Sequence, residues 1–250
     1  MNTPNYSVQQ TDEETVSEIK TVGNMRVFFG HQSVGNNILA GINDITGETD
    51  YKINIVESTA VSQNNEPAFF HAYIGKNLDP LSKITDFKKL IESGIGDNVD
   101  VAFLKLCYVD FNNNTDVNSI FQEYKKTMKA LKNNYPQTTF VHCTVPLVDA
   151  RLDMKTYIKK IIGRFDSKVE GNIKRNQFNA MLRSEYEERE PIFDLAKIES
   201  TYPDGKRETF KKNGRTFYAL VPVYSHDGGH LNEVGRKIVA SKLLNLLASL

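Results

Sequence analysis

The chain has 250 residues, and its 31 basic side chains balance 31 acidic ones, so its formal charge is zero. That balance argues against a large electrostatic footprint for nucleic acid or an anionic membrane. The length suits one α/β domain with a substantial core, or at most two small ones, and no apolar run reaches transmembrane length.

Residues 1–24 are polar and acidic without a signal-like apolar core, and they read as a flexible segment ahead of one domain over 25–250. A cytoplasmic protein and a mature exported one whose leader has been removed both fit that start. Met25–Phe29 reads as a buried first strand. Ser33–Ile45 follows, with Ile38, Leu39, Ile42 and Ile45 on one helical face. Tyr51–Glu57 alternates as a second strand. Residues 58–80 have little periodicity, and a loop of that length is functional or disordered; Phe69, Phe70, His71 and Tyr73 argue against disorder.

Leu81–Ser93 reads as a helix closed by Gly94 and Gly96, Val99–Leu106 as a buried strand, and Asp116–Asn134 as an amphipathic helix ending before Pro136. Lys125, Lys126, Lys129 and Lys132 lie on that helix at helical spacing and read as a solvated face. Thr138–Val145 is the next strand, Met154–Ile162 and Val169–Arg189 are helices, and Ile192–Leu195 is a short strand. Asn213-Gly214 is a two-residue turn signal that makes Arg207–Leu220 a hairpin. Asn232–Leu250 is a last amphipathic helix. Strands alternating with helices predict a three-layer α/β/α sandwich on a mainly parallel sheet.

Two patterns carry chemistry. Near the C-terminus, Asp227-Gly228-Gly229-His230 sets a carboxylate three residues before a histidine on a glycine turn. A carboxylate can orient such an imidazole and stabilise its charged form. Near the other end, Ser33 follows the first strand and opens a helix, where unpaired N–H groups can stabilise an oxyanion. Ser33 also suits a plain helix N-cap. His226, Asp227 and His230 form an alternative metal set, although Gly228-Gly229 argues against the helix that would align the two histidines. Cys107 and Cys143 are too few for a disulfide scaffold and read as buried thiols, with a bridge open if their strands are neighbours. Cys107 with His142 as its base is a remote nucleophile pair.

The run Asp227, His230, Leu231, Asn232 and Gly235 resembles the last motif block of the SGNH (GDSL-like) hydrolases, and Phe28-Phe29-Gly30-His31-Gln32-Ser33 loosely resembles the first. The resemblance covers most of the chain from about Met25 onward. It implies a flavodoxin-like fold and a serine esterase. Ser33 would be the nucleophile, His230 the base and Asp227 its support, with no metal or organic cofactor. It further implies removal of a small, acetyl-like acyl group from a carbohydrate or related polar substrate through an acyl-enzyme.

The family's Gly-Asp-Ser stands here as His31-Gln32-Ser33, and in Cys107-Tyr108-Val109-Asp110 a valine replaces the asparagine that donates to the oxyanion. Asp110 keeps register with that block. Gly75 is the candidate for the second block's glycine N–H, with Asn77 or Lys105 as substitute donors and His31 and Gln32 as residues flanking the nucleophile. Lys105 also reads as an inward lysine paired with Asp110, and His31 as a structural residue. An acyltransferase with the same triad, and a catalytically silent binding module on the same fold, are the alternatives. The implied partner is a small-molecule ester or acylated glycan. Neither the oligomeric state nor the compartment follows from the sequence.

Overall fold

The structure is a computed structural model that describes residues 13–64, 66–151 and 167–250. Six strands form one parallel sheet: β1 (Arg26–His31), β2 (Ile55–Glu57), β3 (Ala68–Tyr73), β4 (Val101–Leu104), β5 (Thr139–Cys143) and β6 (Ile192–Phe193), in the spatial order β2-β3-β1-β4-β5-β6. β1 is central and pairs with β3 on one side and β4 on the other. Adjacent residues on a strand point to opposite faces. Phe29, with Phe69 and Phe103, therefore joins one apolar cluster, and Phe28, with Phe70 and Leu104, joins the other. Phe29 stacks on Phe103 with ring centroids 4.4 Å apart, which fixes β1 against β4.

The first face is covered by α1 (Glu13–Gly23), α2 (Ser33–Gly47) and α7 (Glu233–Ala248), and the second by α3 (Pro80–Leu90), α4 (Val117–Asn134) and α5 (Ser167–Tyr186). Short α6 (Leu195–Glu199) and the antiparallel hairpin of β7 (Thr209–Lys212) and β8 (Arg215–Tyr218) lie between β6 and α7. This is the three-layer architecture expected from the alternation of elements. The helix starts are chemically marked. Asp79, Asp116 and Asp194 accept from the N–H groups of Ser82, Ser119 and Lys197, and Pro80 begins α3, where a missing N–H costs nothing. Asn213 and Gly214 both adopt positive φ, as a tight hairpin turn demands.

Three expectations change. Residues 13–23 are helical: Ile19 and Val22 are buried in the core, and the Glu18 carboxylate accepts a hydrogen bond from Asn245 on α7 at 2.6 Å. The two apolar anchors were diluted by polar neighbours. The segment 58–80 contains β3, the direct neighbour of β1, whose Ala-Phe-Phe-His-Ala-Tyr run has no alternation because it is buried on both faces. Leu195 opens α6 and does not end a strand. The helix expected at Met154–Ile162 lies outside the described residues. Cys107 and Cys143 are both free and buried, and no described helix is long and apolar enough to cross a membrane.

Candidate active site

In an open parallel sheet, ligands bind beyond the carboxyl ends of the strands. At that end of β1 the chain turns at Gln32 and enters α2 with Ser33 as its first helical residue. Ser33 is therefore not the N-cap; Gln32 is. The Gln32 amide turns away and donates to the carbonyls of Ile74 and Gly75, at 3.0 and 3.3 Å, so no side chain caps α2. The first turn keeps open N–H groups beside a half-buried serine.

The loop before α7 reaches the same helix end. Leu231 N–H donates to Asn37, one turn beyond Ser33, at 3.1 Å. Leu231 is buried, and the Asn232 carbonyl oxygen caps α7 through Gly235 N–H while its amide holds Val223 O. The Leu-Asn-x-x-Gly pattern is thus a docking and capping device. Farther along, Gly41 lets the two helices meet: a Cβ there would lie 2.3 Å from Arg236 O, and Arg236 also grips Asp44 at 2.6 Å. On its other side the loop is tied down by Asp149 N–H, which donates to Gly228 O from the chain leaving β5.

Within the loop, His230 Nδ1 lies 2.6 Å from Asp227 Oδ2. Asp227 Oδ1 accepts from the N–H groups of Gly229 and His230 and from the Ser225 hydroxyl. Burial pushes the Asp227 carboxyl upward, but the hydrogen bonds from the His230 ring and these two N–H groups outweigh it and hold the group well below the usual carboxylate range. An ionised carboxylate only accepts, so Nδ1 carries the imidazole proton and Nε2 presents its lone pair. Among the described residues, Ser33 Oγ has no hydrogen-bond partner and does not bond His230. Serine–imidazole contacts are often loose before substrate binds.

The structure also corrects several sequence assignments. Lys105 is fully buried, with its ammonium on Leu106 O at 3.3 Å and Cys107 Sγ at 3.5 Å, so it faces the interior. Its expected partner, Asp110, is taken by buried Lys83 at 2.7 Å and also accepts from Leu78 and Cys107 N–H groups. Asp110 therefore braces the loop 76–79 from below and has no face for substrate. The Gly75 N–H assigned to the oxyanion is spent on Asp86 Oδ2 at 2.9 Å, while Asn77 is exposed on that loop. His31 is fully buried and structural: Nδ1–H donates to Gln32 O, and Nε2 lies 3.0 Å from His71 Nδ1. Burial pushes its pKa down to about 3, against the pull of the Gln32 carbonyl.

Cys107 and His142 are likewise engaged inside the protein. The His142 ring meets the Tyr124 hydroxyl at 2.9 Å and Glu190 at 3.2 Å. Among the described residues, no three His, Cys, Asp or Glu side chains gather as a metal set, and His226, Asp227 and His230 do not converge.

Sequence reading missed two contributors. Tyr108 follows β4 and sets its hydroxyl 3.4 Å from His230 Nε2, a neighbour 122 residues distant that no spacing announces. Asn37 was legible in part, since it lies one helical turn after Ser33.

No family model matches the chain, and no curated protein matches it. Solved structures do. A GDSL-like lipase from Bacteroides thetaiotaomicron superposes with a TM-score of 0.52 at 11% identity, over 95% of this chain and 98% of that one. A Streptococcus pneumonia protein provisionally described as a platelet activating factor gives 0.51 at 16% identity, over 96% and 93%. This chain has the SGNH hydrolase fold. At these identities the likeness concerns architecture alone.

Proposed function

We propose that this SGNH-fold chain is a serine ester hydrolase that removes a small, acetyl-like acyl group from a carbohydrate or related polar substrate. The observation that carries the reading is the Asp227–His230 pair at 2.6 Å, on a loop fastened to the first turns of the helix that Ser33 begins. The GDSL-like lipase with the same architecture supports ester chemistry.

In this reading His230 Nε2 takes the Ser33 hydroxyl proton as Oγ bonds to the ester carbonyl carbon. The carbonyl oxygen becomes an oxyanion beside the open N–H groups of α2. As the intermediate collapses, the carbon–alkoxy bond breaks and the leaving alcohol takes the proton from His230. Water then attacks the acyl-enzyme with His230 again as base, releasing the acid and restoring Ser33. Asp227 stays ionised throughout and holds the ring in the tautomer that leaves Nε2 free.

The test is hydrolysis of short activated esters by the purified protein, and by Ser33→Ala and His230→Ala. Each single change should cost most of the rate enhancement, on the order of 10⁶-fold in kcat, with the fold intact, because triad members act as a unit. Full activity in Ser33→Ala rules the assignment out. Faster release of the acyl group to an added alcohol or sugar than to water would make the chain a transferase with the same triad.

A further inference from the structure

In the resemblance to the SGNH hydrolases, Val109 stands where the family has an asparagine that donates to the oxyanion, and its side chain cannot donate. The adjacent residue can. Resting on the esterase reading above, we propose that the Tyr108 phenol is the missing oxyanion donor and touches the reacting carbonyl oxygen during acyl transfer.

The geometry has three parts. The Tyr108 oxygen lies 3.4 Å from His230 Nε2 and 3.5 Å from Nδ1, with the rings edge to face at 5.6 Å. Nearly equal distances to both nitrogens place the hydroxyl against the ring and not along the in-plane lone pair of Nε2. At these lengths neither contact is a full hydrogen bond. With no closer partner among the described residues, the phenol proton remains available beside the atom that would take the Ser33 proton.

The phenol is also held in place. Arg175 donates to Tyr108 O at 2.8 Å and to Phe111 O at 3.2 Å, clamping the turn from α5, and its guanidinium lies 6.0 Å from the phenol ring centre. Gly229 leaves room for the ring, since a Cβ there would lie 2.8 Å from Tyr108 Cζ. A donor fixed before the reaction need not reorganise as charge develops, which is the basis of oxyanion stabilisation. The groups facing the phenol are Asp227 and His230 from the loop before α7, Arg175 from α5, and Cys107 beside it. Burial, and then the Asp227 charge, raise the phenol above its ordinary pKa, so it stays a donor at neutral pH.

Steady-state hydrolysis of p-nitrophenyl acetate by Tyr108→Phe tests this. The variant keeps the ring that packs on Gly229 and removes only the donor. The expected result is a kcat about 10²–10³-fold lower, with KM changed less than about threefold and an unchanged melting temperature, because the interaction forms mainly in the transition state. A second variant, Tyr108→3-fluorotyrosine, keeps the shape and makes the phenol more acidic; the alkaline limb of its kcat profile should move to lower pH. Unchanged kcat in Tyr108→Phe, or an unmoved alkaline limb in the fluorinated protein, overturns the proposal while the wild type remains an esterase. A wild type that neither hydrolyses the ester nor reacts with a phosphonate overturns the esterase reading, and this proposal with it.

Discussion

At the scale of single residues, the candidate site divides into groups that define a proton path and groups that hold it. Asp227 is ionised by its hydrogen bonds, and that fixes which nitrogen of His230 can act as a base. Asp227→Asn should therefore leave more activity than Ser33→Ala, with kcat reduced by roughly 10⁴-fold, because the base remains but its tautomer and orientation are lost. Kinetics of the two variants on one activated ester check this; equal rates in Asp227→Asn and wild type would show that the pair does not serve the reaction. The Asp-x-x-His spacing was readable because its partners are three residues apart. The oxyanion side was not, because the expected donors are spent in tertiary contacts, Gly75 giving its N–H to Asp86 and Lys105 facing the core, while the Tyr108 phenol meets His230 from the turn after β4.

At the scale of elements, the decisive contact is between α2 and α7, which bring together the two ends of the chain. Gly41 sits at a close contact between the helices, against Arg236 O. Gly41→Ala should push them apart, destabilising the protein by about 1–3 kcal/mol and lowering kcat through the shifted Leu231–Asn37 tether. Denaturant unfolding and ester hydrolysis measure the two effects, and a variant as stable and active as wild type contradicts the packing argument. Elements with clear periodicity were legible in the sequence: α2 through Ile38, Leu39, Ile42 and Ile45, and α4 through its amphipathic stripe. β3 was hidden because a strand buried on both faces has no period, and α1 because only Ile19 and Val22 anchor it. Parallel pairing could be inferred from alternation, but the order that puts β3 beside β1 depends on contacts between distant residues.

At the scale of the whole molecule, the buried histidines give stability a pH dependence. Burial lowers His31 to about 3 and His142 to about 4, the latter against the opposing pull of Glu190, while the unfolded chain titrates near 6.5. Between about pH 6.5 and 4 the unfolded state therefore binds more protons, and stability is lost as the pH is lowered. Glu199 acts in the opposite sense: burial raises it to about 8, so its contribution grows as pH falls from 8 toward the ordinary carboxylate range. His31 and His142, with His71 shifted by burial in the same direction, outweigh the one carboxyl, so stability should fall from pH 6.5 to 5. Denaturant midpoints across that range test it, and a midpoint that rises on acidification contradicts it. The central claim is that this architecture activates Ser33. Its most direct test is reaction with an active-site-directed phosphonate followed by peptide mapping. The account predicts one adduct per chain, on Ser33, lost in Ser33→Ala and strongly slowed in His230→Ala; an unreactive protein, or an adduct on another residue, would contradict it.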